Sequence, residues 1–381
     1  MKLFEIPSTF MRGGTSKALM IRAENMPLDK EEWVDILCSA MGSPDLYGRQ
    51  LNGMGGGVSS LSKVCVIGRS THRDADVDYT FVQVQVRERR LDMSGNCGNM
   101  LSAVGPFAVD EGLVRVQGDK AHVRIHNTNT GKVIHATFPL RDGKSRYDGD
   151  LEIPGVSGRG APIRLDFINP GGATTGTFLP TGAVLDVLTL KDGRRFEASL
   201  FDAANACCIL RASDFGLAGI ETPTELDARP DLLALLDEIR VAASIRMGVA
   251  ADEEEAKRKR HVPFVALLSS PADFESTGGD QIRSNDMDFA ARVISSGQPH
   301  QALPLTATLC IAIASRFEGS IAHEVARNNA GSMVRIGMPS GILTAAAVIE
   351  GSGPDRVPVS GGFYRTARRL FRGTVFADVG E

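Results

Sequence analysis

Three short stretches of this chain are apolar on every side: Met100–Val109, Thr306–Ala314 and Ile342–Ile349. A helix without a polar face has to be enclosed by something. The regular segments around these stretches alternate instead with period two. Val82 and Val84 face one way and Gln83 and Gln85 the other. Ile163, Leu165 and Phe167 alternate with Arg164 and Asp166, and Val123 and Ile125 with His122, Arg124 and His126. Such segments read as half-buried strands with one face to give to a core. The three apolar stretches read as buried helices. The pattern is an α+β one, in which strands gather round an enclosed helix, twice.

Amphipathic helices are few. Leu28–Met41 places Trp33, Ile36, Leu37 and Ala40 at helical spacing. Pro230–Met247 begins with a proline suited to a first turn and is followed by Gly248 as a stop. The run DEEEAKRKR (252–260) offers Glu→Lys/Arg pairs four residues apart at 253/257, 254/258 and 255/259, the mark of a solvated helix face. A local echo suggests two halves: Phe10–Lys17 and Phe167–Gly176 each approach like a strand, turn on Gly-Gly and continue in small hydroxyl residues.

Charge narrows the function. Lys and Arg number 42 against 46 Asp and Glu, a net charge of -4, without the basic excess of a dedicated nucleic-acid binder. No apolar run reaches membrane-spanning length and no apolar signal core opens the chain, so the expectation is a cytoplasmic, unprocessed protein. The six cysteines form no Cys-x-x-Cys and no ligand-spaced Cys/His set, which argues against a zinc site or a disulfide framework.

Two constellations can carry chemistry. In SGNCGN (94–99) a cysteine lies between two Gly-Asn steps just before an apolar helix, and free N–H groups at a helix N-terminus favour thiolate and bind anions. Cys97 is therefore the candidate reactive thiol. Cys65 and Cys310 lie in apolar runs and read as core, and Cys207 and Cys208 receive no role. The second is GMGGGVSSLSK (53–63), a glycine- and serine-rich loop ending in Lys63 at the mouth of a strand. It lacks the order of a nucleotide P-loop but could cradle carboxylates through backbone N–H groups. Among the histidines, His122, His126 and His135 read as surface positions, and His300 as the one placed near a pocket.

MRGGTSKA (11–18), MGSPD (41–45), the loop end Ser62-Lys63, DVDYTFVQV (76–84), GNCGN followed by VGPFAV (95–109) and ATTGTFLPTG (173–182) together resemble the PrpF-type isomerases. That family includes 2-methylaconitate cis-trans isomerase, 3-methylitaconate Δ-isomerase and 4-oxalomesaconate tautomerase. The resemblance implies the diaminopimelate-epimerase-like fold: two pseudo-symmetric α+β domains, each a sheet round a central helix, with the site in the cleft between them. The expected division is 1–160 with 358–381, and 161–357 with a helical insert near 224–260. By motif, Lys63 and Cys97 carry the proton transfers, and no metal or organic cofactor is implied. The candidate partners of a polycarboxylate are Arg12, Ser16, Lys17, Ser62, Asn96, Gly98, Asn99, Thr174, Thr175, His300, Ser340 and Gly341.

Two-thiol racemases of this fold carry a second cysteine at the second domain's helix turn, for which Met338-Pro339-Ser340-Gly341 is taken here. Met338 also stands where the family often has His. The expected reaction is an allylic 1,3-proton shift, giving double-bond migration or cis-trans isomerisation, on an unsaturated di- or tricarboxylate such as 3-methylitaconate, 2-methylaconitate, aconitate or 4-oxalomesaconate. An amino-acid racemase or epimerase of the same fold, or a non-catalytic polycarboxylate-binding protein, are the alternatives. The expected partner is the small-molecule substrate, with neither nucleic acid nor membrane; a homo-oligomer is compatible with the sequence, which does not fix the oligomeric state.

Overall fold

In a computed structural model of the chain, residues 2–93, 96–327, 333–352 and 356–379 are described. Strand β1 (Lys2–Gly13) turns back into β2 (Ser16–Arg22), with Gly13 opposite Ser16. β3 (Lys63–Arg69) runs parallel to β2, with Ala18 beside Lys63, and β4 (Val77–Val84) antiparallel to β3. After the short β5 (Leu91–Asp92) come β6 (Lys120–Asn127), parallel to β4, and β7 (Lys132–Arg141), antiparallel to β6. The last strand, Ala367–Val379, pairs with β1 from Lys2 opposite Val379 to Gly13 opposite Ala367.

Alternation along these strands sorts the side chains onto two faces. Phe10, Leu19, Ile21, Val64, Val66, Val82 and Val84 pack with Trp33, Ile36, Leu37 and Met41 of α1 (Trp33–Met41). The helix starts later than the Leu28 expected from spacing. The opposite face holds α2 (Gly98–Asp110), which touches β1, β2, β3, β6, β7 and the last strand and has 11 buried residues. Close approach is built into the sequence here: a Cβ on Gly105 would stand 2.7 Å from the Phe138 ring.

The chain divides into two compact units, Met1–Asp166 with Tyr364–Glu381, and Phe167–Phe363. Both divisions fall about six residues beyond the expected ones, inside the strands Ile163–Ile168 and Val357–Arg365. The second unit carries the helical insert as α3 (Pro223–Asp227), α4 (Pro230–Arg246) and α5 (Glu253–Arg258). Thr222 and Glu225 close a capping box on α3, and α5 forms all three Glu→Lys/Arg pairs read from the sequence. Leu232, Leu236, Ile239 and Ala243 of α4 bury against Leu188, Leu200, Leu210 and Leu267. α6 (Leu305–Ala314) is buried at all ten positions and is touched by the strands Arg195–Asp202, Ala206–Arg211, Phe264–Ser269 and Gly341–Glu350.

One apolar stretch is not a helix. Ile342–Ile349 lies in the strand Gly341–Glu350, paired antiparallel with Met333–Met338 and with Val357–Arg365. GMPSG is accordingly a hairpin turn, with Met338 opposite Gly341, and not the start of the second central helix. That helix begins at Leu305, after Pro304. Among the described residues no helix is long and apolar enough to cross a membrane.

Candidate active site

Among the described residues the N-terminus of α2 carries no side-chain cap. Cys97 precedes the helix in extended conformation, its carbonyl accepts from Leu101 N at 3.2 Å, and its side chain caps no backbone group. The N–H groups of Gly98, Asn99 and Met100 fall where a helix has no acceptor of its own to offer. Ser94 and Gly95 of the motif lie outside the described residues. Asn99 spends its side chain on the β1–β2 turn: Nδ2 donates to Thr15 Oγ1 at 3.0 Å, and Oδ1 accepts from Thr15 N at 3.4 Å. The turn needs both glycines. A Cβ on Gly13 would stand 2.8 Å from Asn99 O; Gly14, at φ 52°, would put one 2.2 Å from Asn99 Oδ1. Ser16 is buried at the same turn, and Asn96 Oδ1 is a buried acceptor without a partner among the described residues.

Lys63 is the first residue of β3 and only 8% exposed. Its neighbour across β4 is Gln83, whose Oε1 accepts from Nζ at 2.5 Å, and Nζ stands 4.9 Å from the centre of the Phe81 ring. Cys65, two residues on and on the same face, bonds Tyr79 Oη through Sγ at 3.9 Å, and both are fully buried. Burial pushes the Cys65 thiol well up; the charge of Cys97 adds to this, while the Tyr79 hydroxyl and the Lys63 charge oppose it. Tyr79 is likewise pushed up, by burial first and then by Cys65 and Cys97. Lys63 and Cys65 share the face of β3 opposite to α1, and α2, which Cys97 precedes, packs against that strand, so the two proton-carrying candidates lie on one side of the sheet. The preceding loop is tied down by Gln50, itself buried: Nε2 donates to Ser43 Oγ at 2.8 Å, while Oε1 accepts from Gly57 N at 2.9 Å and from the Ser62 hydroxyl.

Arg12 and Lys17 stand elsewhere. By strand parity they occupy the α1 face, opposite to Lys63, and Lys17 Nζ lies 5.7 Å from the Phe10 ring. Arg12 donates through Nη1 to Gly14 O at 3.0 Å and Thr366 O at 2.9 Å. Burial first, and Arg368 second, lower its pKa. In the second unit, Thr174 N, Thr175 N and Thr175 Oγ1 donate to Asp202 Oδ2 at 2.8, 2.6 and 2.9 Å. Ser340 Oγ is buried without a partner among the described residues, in the turn that ends at Gly341. His300 is bonded to Ser295.

Sequence reasoning missed the supporting residues Gln83, Gln50, Thr15 and Asp202. Gln83 alone left a signal, as the polar position next to a buried one in an alternating run; the others are recognisable only once the chain is folded. Among the described residues no three His, Cys, Asp or Glu side chains gather where they could hold a metal ion.

A family model for the PrpF protein matches residues 3–378. The chain belongs to the PrpF family. Within it, the 3-methylitaconate isomerase of Eubacterium barkeri is 39% identical over 98% of this chain and 97% of its own length. The 4-oxalomesaconate tautomerase of Pseudomonas putida is 36% identical over 97% of this chain and 95% of its own. A crystal structure of a methylitaconate-delta-isomerase superposes with a TM-score of 0.87 at 38% identity, covering 99% of this chain and 96% of that one. A hydroxyproline epimerase from Agrobacterium vitis, 9% identical, shares the fold at a TM-score of 0.54 over 99% of this chain and 94% of its own. This PrpF-family chain is an isomerase, with the α+β, diaminopimelate-epimerase-like fold expected from the sequence.

Proposed function

We propose that this isomerase moves a carbon–carbon double bond in an unsaturated di- or tricarboxylate by an allylic 1,3-proton shift, with Lys63 and Cys97 as the proton carriers. The observation that carries the reading is that Lys63 leaves the sheet on the face against which α2 packs, the helix that Cys97 precedes. One group removes a proton from an allylic carbon, the double bond migrates, and the other delivers a proton two carbons away. The electron pair freed in between spreads onto the adjacent carboxylate. Fixed N–H groups at a helix start stabilise charge that develops there, and the N–H groups of Gly98 and Asn99 lie at that end. The proton gained by one carrier and lost by the other returns through solvent, so the cycle draws on the chain's own groups.

The test is incubation in D₂O with 3-methylitaconate, 2-methylaconitate, aconitate and 4-oxalomesaconate in parallel with amino acids, followed by NMR. Deuterium in an unsaturated acid together with migration of its double bond supports the proposal. Exchange confined to amino acids overturns it in favour of a racemase, and no exchange into any of the four acids overturns it as well. With the acid that turns over, Lys63→Ala and Cys97→Ala are each expected to lower kcat by ~10²–10⁴-fold with a smaller effect on KM.

A further inference from the structure

We propose that Gln83 is a positioning residue for Lys63: a neutral acceptor, locked in orientation, that holds the side-chain nitrogen in place and favours its ammonium form less than a carboxylate would. The inference rests on the reading of Lys63 as a proton carrier.

Lys63 and Gln83 are direct cross-strand partners, so their side chains leave the sheet on the same face. The amide cannot swap its ends without loss. Gln83 Nε2 donates to Ser62 O at 2.8 Å, Ser59 O at 3.1 Å and Val84 O at 3.4 Å, all of them acceptors. That leaves Oε1 for Lys63 Nζ, at 2.5 Å. Two of those carbonyls belong to the loop end that Gln50 secures through Ser62, so the amide is anchored to a segment which is itself anchored.

The choice of an amide has a consequence for chemistry. A buried lysine beside a carboxylate is favoured as ammonium, because an opposite charge nearby stabilises the charged form. An amide oxygen accepts from –NH₃⁺ and from –NH₂; its bond to the charged donor is the stronger, but without a full negative charge it biases the nitrogen less than a carboxylate does. The titratable groups on the same face of the sheet are Cys65 on its own strand and Tyr79 on β4, with Cys97 ahead of α2, the helix packed there. Among the described residues no Asp or Glu forms an ion pair with it, and the Phe81 ring supports the charged state from one side only. A group that must gain and lose a proton in each cycle is served by a partner that can bond both forms and adds no opposing charge.

The experiment uses full-length protein with ¹³Cε/¹⁵Nζ-labelled lysines, the Lys63 signal being assigned by its loss in Lys63→Ala. Its titration is followed by NMR in wild type, Gln83→Glu and Gln83→Leu. Gln83→Glu is expected to move the midpoint up by about 1–3 pH units and the corresponding limb of the pH–rate profile with it. Gln83→Leu, which stands in should the glutamate variant not fold, is expected to lower kcat about 10–100-fold with little change in KM, as for a misplaced proton carrier. An unmoved Lys63 titration in Gln83→Glu, or wild-type kcat in Gln83→Leu, overturns the proposal. A moved titration in a background where Lys63→Ala keeps its kcat overturns the catalytic reading of Lys63 instead, so the two failures are told apart.

Discussion

His300 offers a quantitative test, because its sequence reading and its structural environment disagree about its charge. As a partner for a carboxylate it would serve best as a cation. In the second unit its Nε2 lies 2.7 Å from Ser295 Oγ, and its ring meets the Phe264 ring edge-on at 6.3 Å. Burial pushes its pKa from 6.5 down to about 4. The unfolded chain therefore takes up the proton first as pH falls. The stability that the neutral ring contributes is complete above pH 6.5 and is lost as pH falls through 4. At about 1.4 kcal/mol per pH unit this interval is worth about 3 kcal/mol. His300→Gln removes the titration and keeps a group able to bond Ser295. Urea denaturation of wild type and variant at steps between pH 7.5 and 4 measures the difference in their stabilities at each pH. The wild type is expected to lose about 3 kcal/mol relative to the variant on descending that range. A difference that stays constant with pH would refute the argument that His300 is held neutral by burial.

Three further outcomes follow from the geometry of the first unit. Gly14→Ala places a Cβ at φ 52° and 2.2 Å from Asn99 Oδ1; it should cost about 2 kcal/mol or more in denaturant titrations and lower activity, and unchanged stability would contradict the packing. Alkylation near neutral pH with peptide mapping should label Cys97 first, since the other five cysteines are buried and burial pushes the Cys65 and Cys208 thiols well up; full activity with Cys97 quantitatively modified would remove it from the mechanism. Arg12→Ala, which frees two carbonyls, should cost about 2 kcal/mol of stability with KM little changed; a steep rise in KM at unaltered stability would return Arg12 to substrate binding.

Much of this architecture is legible in the sequence wherever one face of an element is polar. The alternation at Ile163–Phe167 and His122–His126, the pairs of α5 and the enclosed helix after Cys97 all follow from that contrast. It fails at Ile342–Ile349. That strand buries Leu343, Ala345 and Ala347, yet its half-buried face carries Ile342, Ala346 and Val348, so period two leaves no mark in hydropathy and the run reads like a helix. At the site, Lys63 and Cys97 were singled out by motif, whereas the separation of Arg12 and Lys17 from them was hidden. Four residues of local sequence suggest a cationic turn around Gly13-Gly14. Only the pairing of Ala18 with Lys63 reveals that the cations and Lys63 leave the sheet on opposite sides.

That parity bears on how the chain tolerates changes in length. In β3, Lys63 and Cys65 face α2 while Val64 and Val66 face α1. One residue inserted between Ser62 and Val64 and propagated into the strand would exchange the two sets, bringing valines to the helix that starts at Cys97 and a lysine into the core around Trp33. An insertion a few positions earlier meets Gly53, Gly55, Gly56 and Gly57, where an added Cβ would stand 2.1–2.7 Å from neighbouring atoms and Gly57 N is held by Gln50 Oε1 at 2.9 Å, so the loop that delivers Lys63 is close-packed as well. Gln50, bonded to both Gly57 and Ser62, thus secures the end of a segment whose residue count must stay in step with the pleat.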